Sequence, residues 1–113
     1  MDNCLFCKIV SGQIPSSKAY EDEKVLAFHD IDPKAPVHIL IVPKKHVASI
    51  AALEEEDFEL VAHIMRVVKQ IAAEQGLVSG FRIVANTGRD GGQTVDHLHL
   101  HLLGGRALGW PPG

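Results

Sequence analysis

Polar and apolar residues alternate with a period of two in the segment TVDHLHLHLLGG, residues 94–105. Successive side chains of a β-strand point to opposite faces, so this alternation predicts a strand whose leucines form one apolar face. His97, His99 and His101 would share the opposite face. Because imidazole titrates near neutral pH and serves as base, nucleophile or metal ligand, this face is a candidate site for chemistry.

Shorter apolar runs bounded by turn residues predict three further strands, at residues 24–30, 37–43 and 81–87. The run VHILIVP at residues 37–43 is rich in β-branched residues and ends at a proline. The glycine-rich turn GRDGGQ, residues 88–93, precedes the histidine segment. Because consecutive strands joined by turns usually pair as neighbours, we expect an antiparallel meander sheet.

A period near 3.6 predicts one long helix within residues 53–76, ended by Gly76. Residues 4–11 predict a short N-terminal helix closed by Gly12. The fold class is therefore α+β, in a single domain spanning residues 1–113. Two apolar rows run along the long helix, more than one packed sheet usually needs. We therefore predict that the second row packs across a two-fold axis against a partner subunit, with a wide core face as the alternative. The first row is Phe58, Val61, Met65, Val68 and Ala72, and the second is Leu60, Ile64, Val67 and Ile71.

The composition narrows the class of protein. A net charge of −3 over 113 residues gives no electrostatic basis for binding polymeric nucleic acid. There is no apolar run of membrane-spanning length, and the N-terminal segment MDNCLFCKIV lacks a secretory pattern, so we expect a cytoplasmic protein without a membrane partner. Its two cysteines, Cys4 and Cys7, form a CxxC, which favours metal or redox chemistry over a structural disulfide.

Spacing alone leaves the histidine strand open to three interpretations. The Cα atoms of His97 and His101 would lie about 13 Å apart on a strand, so the three imidazoles cannot easily converge on one ion. Solvated or packed histidines, a partial metal site and a catalytic site all remain.

The preceding turn favours catalysis on a phosphate. Successive backbone N–H groups of Gly88, Gly91 and Gly92 can form a concavity that binds an anion. Thr94 adds a hydroxyl and Asn86 an amide. One imidazole can then attack phosphorus while a second protonates the leaving group.

The segment from His97 to Leu103 resembles the histidine triad motif, His-φ-His-φ-His-φ-φ. The resemblance extends through FCKIVSGQIPS, AFHDIDPKAPVHILIVPKKH and ANTGRDGGQTVDHLHLHLLGGR to the terminal GWPPG. The chain is similar to the Hint branch of the histidine triad (HIT) superfamily. That resemblance implies a homodimeric nucleoside phosphoramidase with its sheet continued into the partner. It implies a purine nucleoside monophosphate or phosphoramidate as ligand, and no cofactor required for catalysis.

The resemblance also implies roles for individual residues. His99 matches the nucleophile, and His101 the group that contacts the phosphate and protonates the leaving amine. His38 matches a fourth histidine that backs the nucleophile, with His97 in a proton relay through it. The implied nucleotide-binding set is Phe6, Ile9, Ile14, Phe28, Ile31 and Leu40 around the purine, Asp30 on the ribose, Asn86, Gly92 and Thr94 beside the phosphate, and Trp110 reaching toward the partner's site. Thr94 stands where the family usually has serine, and each apolar match is also typical of an ordinary core residue.

The CxxC is a departure from the Hint pattern. Bacterial histidine triad proteins that this chain resembles bind structural zinc through two such cysteines, a histidine after lysine and the first triad histidine. Cys4, Cys7, His46 and His97 fit that set, and two buried, inert thiols are the alternative. A His97 that binds zinc would not be free for the proton relay.

Two other functions stay open from the sequence. Dinucleoside polyphosphate hydrolases of this superfamily usually continue the motif with proline and arginine, where this chain has Gly104, Gly105 and Arg106. Uridylyltransferase-like members, a weaker alternative, replace the third histidine with glutamine. A nucleotide-binding interaction module whose role needs no turnover is a further possibility.

Overall fold

A five-stranded antiparallel sheet forms the centre of the computed structural model, which describes residues 3–113. The predicted α+β class, with one long and one short helix, is confirmed. Each helix lies on its own face of the sheet, so two apolar layers are buried. The strands are β1 (Lys18–Glu21), β2 (Val25–His29), β3 (Val37–Pro43), β4 (Phe81–Val84) and β5 (Leu100–Gly104); the α-helices are α1 (Leu5–Val10) and α2 (Phe58–Glu74), and single 3-10 turns occupy Ile50–Ala52 and Glu55–Asp57.

The strand order is β1-β2-β3-β5-β4, so the sheet is not the simple meander that the sequence predicts. The first three strands do follow one another as a meander. After β3, α2 carries the chain away, β4 forms an edge, and β5 returns between β4 and β3. Because β5 has a partner on both sides, the end of the histidine segment lies in the middle of the sheet, directly beside β3.

The strands differ from the sequence prediction in one added strand and in several boundaries, among them β4, which ends at Val84 and not at residue 87. Strand β1 was not predicted, because its four residues, KAYE, are half charged and show no apolar alternation. Strand β5 begins at Leu100, whereas the prediction placed its start at residue 94. The residues just before it run alongside Val47, where the Leu98 N–H donates to the Val47 carbonyl at 2.6 Å. His97 and His99 therefore lie outside the β5 ladder, in the segment that approaches it.

The packing of α2 corrects the assignment of its two apolar rows. The second row was a candidate for a partner contact, but Ile64, Val67 and Ile71 are at most 1% exposed within this one chain. Phe58 and Met65, from the first row, are 51% and 46% exposed. The rows are neighbours on the helix, so the core takes its stripe from both. That stripe comprises Ile64, Val67, Val68, Ile71 and Ala72, with Leu60 packed beside it.

The short helix α1 closes the other face of the sheet. Phe6 and Ile9 point inward from α1 onto side chains of β2 and β3. Gly12, whose φ is +86°, ends the helix in the left-handed conformation, as the sequence predicts. Six residues form a marginal helix without tertiary contacts, so the position of α1 depends on what it packs against. The core under it is Phe6, Ile9, Leu26, Phe28, Leu40 and Val42.

Within residues 3–113, none of the helices combines the length and apolar character needed to cross a membrane.

Candidate functional site

The histidine segment keeps its period of two although only part of it is a strand. Leu98, Leu100 and Leu102 are buried in the core under α2. The three histidines lie on the α1 side, with the rings of His99 and His101 5.0 Å apart. The expectation of one leucine face and one histidine face therefore agrees with the structure.

His99 has its protonation pattern set by the backbone. Its Nδ1 lies 2.7 Å from the carbonyl oxygen of His97, and a carbonyl can only accept, so Nδ1 carries the proton. In the neutral ring the lone pair is then on Nε2. The side chain is 5% exposed, and the Phe6 ring meets it edge-on at 4.9 Å between centroids. His99 is thus a fixed imidazole whose Nε2 is available as a nucleophile.

His101 is held by a chain of hydrogen bonds through His38. The backbone N–H of Lys34 donates to His38 Nδ1 at 3.1 Å, so the His38 proton lies on Nε2. His38 Nε2 is 2.9 Å from His101 Nδ1, which must accept. The proton of neutral His101 is therefore on Nε2, the atom suited to donate it onward. Asp30 completes the group, with Oδ2 3.5 Å from His38 Nε2.

These contacts correct the implied role of His38. The resemblance placed it behind the nucleophile, but in the structure it contacts His101 and not His99. His97 does not enter this hydrogen-bond chain, because its Nε2 binds the Pro43 carbonyl at 2.8 Å and its Nδ1 faces the cysteines. The relay that runs from His97 through His38 is therefore absent from the described contacts.

Burial keeps the histidine pair neutral in the absence of an anion. It lowers the pKa of His101 to about 4, assisted by the neighbouring rings of His99 and His38. Burial also lowers the pKa of His38, while Asp30 acts in the opposite direction. A negatively charged group beside His101 would favour its imidazolium form in the same way that Asp30 does. The site is thus arranged to gain a proton when it receives an anion.

The glycine-rich turn is rigid through its own hydrogen bonds. Gly88 N–H donates to the Gln93 side chain at 2.9 Å, and Gln93 N–H returns a bond to the Gly88 carbonyl at 3.0 Å. A Cβ on Gly91 would lie 2.4 Å from the Thr87 carbonyl oxygen, so only glycine fits. Gly92 N–H donates to the backbone carbonyl of Arg89 at 3.0 Å. A phosphate at Gly92 would have to share or replace that bond, and its predicted contact stays a prediction.

The implied purine residues divide into a buried group and an exposed one. Phe6, Ile9, Phe28 and Leu40 are at most 9% exposed and form the core under α1, with Ile14 packed beside them. Ile31, by contrast, is fully exposed. The buried group belongs to the hydrophobic core and could contact a purine only as the floor of a pocket.

The structure places two of the four remaining implied contacts, Asp30 and Thr94, beside histidines, Asp30 against His38 and Thr94 in a cavity with His46. Asp30 accepts the Asp32 N–H at 2.8 Å through Oδ1. Asn86 is half-buried in the segment after β4. Thr94 lines a cavity of about 750 Å³ that also borders Cys4 and His46. Trp110 is 85% exposed. These four roles remain predictions.

Cys4, Cys7, His46 and His97 converge from three segments of the chain. Their ligand atoms all lie within 4.8 Å of one another. Cys4 caps α1 and Cys7 lies in its first turn, His46 follows β3, and His97 precedes β5. The Pro43 carbonyl fixes the proton of His97 on Nε2, so Nδ1 presents its lone pair to the cluster.

The spacing of these atoms fits a tetrahedral zinc ion. Sulfur–nitrogen distances are 3.3 Å for Cys4–His97, 3.3 Å for Cys7–His46 and 3.5 Å for Cys7–His97, and the two Nδ1 atoms are 3.2 Å apart. Tetrahedral angles at ordinary zinc bond lengths place S and N about 3.5 Å apart and two N atoms about 3.3 Å apart. Burial and the adjacent Cys4 raise the pKa of Cys7. A cation at the centre would relieve the repulsion that opposes the thiolate.

Sequence reasoning missed the backbone partners of the site. The Lys34 N–H, the Pro43 carbonyl and the His97 carbonyl fix the protons of three histidines, yet every residue type offers such groups. Gln93 is different, because its side-chain amide donates to the carbonyls of Ala48 and Val95. Its place between the glycines and the histidines was a signal that could have identified it as the brace of the turn.

Comparison with known proteins gives concordant results. The family model described as "Scavenger mRNA decapping enzyme C-term binding" matches residues 3–108. An HIT family hydrolase from Legionella pneumophila Philadelphia 1 is 53% identical, with a TM-score of 0.96 over 98% of this chain and 100% of that one. A histidine triad protein from Clostridium difficile is 52% identical, with a TM-score of 0.92 over 96% and 95% of the two chains. A 14 kDa zinc-binding protein of Zea mays is 50% identical over 96% of this chain and 87% of its own.

Proposed function

Because this chain belongs to the histidine triad (HIT) family, we propose that it hydrolyses purine nucleoside 5′-phosphoramidates at the phosphorus–nitrogen bond. Aminoacyl adenylates, cleaved at the corresponding phosphorus–oxygen bond, are the second proposed substrate class. The observation that carries the proposal is the complementary protonation of two adjacent imidazoles. His99 presents a bare Nε2, and His101 presents an Nε2–H. Their rings are 5.0 Å apart, close enough for both to reach one phosphate group.

The proposed reaction has two steps. In the first, His99 Nε2 attacks phosphorus, the phosphorus–nitrogen bond breaks, and the imidazolium form of His101 gives its Nε2 proton to the leaving amine. In the second, water attacks the nucleotidyl-histidine, His101 accepts the proton of that water, and His99 is released. The products are a nucleoside monophosphate and, from a phosphoramidate, an amine; from an aminoacyl adenylate the phosphorus–oxygen bond breaks instead and the amino acid leaves. The phosphate charge and Asp30 together favour the imidazolium that the first step needs.

Zinc bound by the cysteine–histidine cluster is part of the proposal, with a structural role. Four protein ligands close the coordination sphere, which leaves no position for substrate. The fit of the donor distances and the relative named for zinc binding support it. No step of the reaction needs the metal, so His97 serves as a ligand and not in a proton relay.

Rates on two substrates test the proposed activity. We expect adenosine 5′-phosphoramidate to be hydrolysed with a higher kcat/KM than diadenosine polyphosphates. The alternative function, dinucleoside polyphosphate hydrolysis, predicts a higher kcat/KM for the diadenosine polyphosphates. A chain that binds AMP but turns over neither substrate would be a nucleotide-binding interaction module, and the proposal would be wrong.

His38 should control the acid–base residue without touching substrate. Replacing His38 with alanine removes the ring that orients His101 through Nδ1, and we expect kcat to fall roughly ten- to a hundredfold with KM little changed. His38→Gln keeps an amide that can donate to Nδ1 of the neutral ring or accept from Nδ1–H of the imidazolium, and should recover part of the loss. Steady-state kinetics on the phosphoramidate measures both. An unchanged kcat with a raised KM would instead assign His38 to binding.

We also propose that the protein is a cytoplasmic homodimer, with the sheet continued into the partner through the free edge of β4. Phe58 and Met65 on α2 and Phe81 on β4 are each 46–51% exposed, an apolar surface that a two-fold contact could cover. This surface replaces the row that the structure buries in the core. Trp110 would then reach the partner's site, as the resemblance implies.

The oligomeric state is a direct check. Light scattering at micromolar concentration should give a dimer, and Met65→Asp should shift it to monomer, because a carboxylate would be buried in an apolar contact. Gln70→Asp, at an exposed polar position of the same helix, should leave the mass unchanged. A monomeric parent protein would contradict the dimer and the role of Trp110 together.

A further inference from the structure

Two direct contacts join the cysteine–histidine cluster to the nucleophile. His97 contributes Nδ1 to the cluster, and its carbonyl oxygen accepts the Nδ1–H of His99 at 2.7 Å. Any movement of His97 toward or away from the cluster therefore also moves the group that fixes the proton of His99. The first contact is a hydrogen bond between residues only two apart in the chain.

The second contact runs through Phe6. This residue lies between Cys4, which caps α1, and Cys7, so the two cysteines of the cluster and Phe6 belong to one short helical segment. Its ring is 4% exposed and meets His99 edge-on at 4.9 Å and 87°, and His97 at 6.0 Å and 72°. Edge-on packing fixes the plane of an aromatic ring. The position of α1 therefore sets the plane of the His99 imidazole.

Resting on the proposed function, we infer that occupancy of the cluster controls the orientation and tautomer of His99, with Phe6 as the positioning residue between them. A metal shared by Cys4, Cys7, His46 and His97 fixes α1 and His97 at once. Without it, the bonds that hold the four side chains in one place are lost, and weaker thiol and imidazole contacts no longer fix the position of His97. His97 then moves its carbonyl, and His99 no longer has one preferred tautomer.

The consequence is a change in turnover and not in affinity. A ring that carries its proton on Nε2 cannot attack phosphorus, so only the Nδ1–H form is competent. Loss of that form lowers kcat in proportion to its population. Of the implied nucleotide-binding residues only Phe6 and Ile9 lie on α1, and both are buried, so nucleotide binding changes less than turnover. This separates a positioning role from a role in holding the nucleotide.

The tautomer can be read directly by long-range nitrogen–proton NMR of the imidazole rings. In zinc-loaded protein we expect His99 to be entirely in the Nδ1–H form. In folded protein treated with a chelator we expect both forms, with kcat lowered in proportion to the remaining Nδ1–H fraction, about twofold for equal populations, and with KM changed less than kcat. His38 is an internal control, because the Lys34 N–H fixes its proton independently of the cluster.

A pair of variants isolates Phe6 from metal loss and from folding. Zinc-loaded Phe6→Leu should show the same mixed tautomers and lower kcat while keeping its zinc. Leu26→Val thins the same core without a ring against His99 and should keep the parent spectrum and rate. If chelation unfolds the chain, zinc-loaded Phe6→Leu alone tests whether the ring of Phe6 fixes the tautomer of His99.

An unchanged His99 tautomer in the folded chelated protein or in Phe6→Leu would overturn the inference. Failure of the proposed function looks different, because zinc-loaded parent protein would then not hydrolyse the phosphoramidate whatever the tautomer of His99.

Discussion

His99→Ala should abolish hydrolysis of adenosine 5′-phosphoramidate, with a loss on the order of 10⁴-fold or more, because no other group can form the covalent intermediate. AMP binding should remain measurable by calorimetry. The phosphate would still meet the Nε2–H of His101, whose hydrogen-bond chain does not include His99. Rapid-quench mass spectrometry of the parent protein should show a nucleotidyl adduct, and the variant should show none.

His29→Ala is the matched control. His29 is an exposed histidine at the end of β2, outside the described contacts of the triad, and its variant should keep the parent rate. Hydrolysis by His99→Ala at the parent rate would remove the nucleophile assignment. Hydrolysis by the parent without any adduct would instead favour direct attack by water, with His99 as a general base.

The sequence predicts which side chains of the histidine segment share a face, but it does not predict which of its residues pair with a neighbouring strand. A period of two decides which side chains share a face, and it persists in extended chain whether or not a neighbouring strand pairs with it. Pairing depends on where β3 ends and on the path of the chain through Val47, whose carbonyl accepts from Leu98. The pattern of residues 94–105 contains no information about either. The same limit explains β1, where a partner strand stabilises a segment without apolar alternation.

The helix rows show why burial is harder to predict than helicity. Both rows of α2 are apolar, and neighbouring rows differ by a rotation too small for a periodic pattern to resolve. Which of them faces the sheet depends on side chains from β3 and β5, such as Ile39 and Leu102, brought there by the fold. The exposed pair Phe58 and Met65 could therefore be identified only from the structure.

The metal cluster was predictable as a set of residues, and its geometry was not. Strand spacing argued correctly that the three triad histidines cannot share one ion. His97 solves this by joining groups 51 and 90 or more residues away, His46 and the two cysteines, instead of its neighbours. Only the resemblance connected these segments in advance. The proposed division of labour, with His97 for metal and the other two for chemistry, rests on the contacts that each ring makes: His97 with the cysteines and His46, His99 with a backbone carbonyl and His101 with His38.

Removing zinc should lower the melting temperature by more than about 10 °C. The four ligands join the N-terminal helix, the segment after β3 and the segment before β5, so the metal closes contacts across more than 90 residues. An unfolded chain has no preformed site, and binding free energy becomes folding free energy. Free zinc at a thousandfold its dissociation constant would contribute about 4 kcal/mol. For a domain of this size that corresponds to a shift of the expected magnitude.

Elemental analysis of protein purified without chelator should find stoichiometric zinc, and thermal unfolding with chelator and after zinc is returned measures the reversible part of the shift. His46→Ala should lower the melting temperature as chelation does and make it insensitive to chelator, whereas His29→Ala should behave as the parent. A zinc content near zero, with both thiols freely titratable in the folded protein and no response to chelator, would leave Cys4 and Cys7 as packing residues. His97 would then be held by the Pro43 carbonyl and by its contacts with the thiols and His46, and the metal-ligand role proposed for its Nδ1 would be wrong.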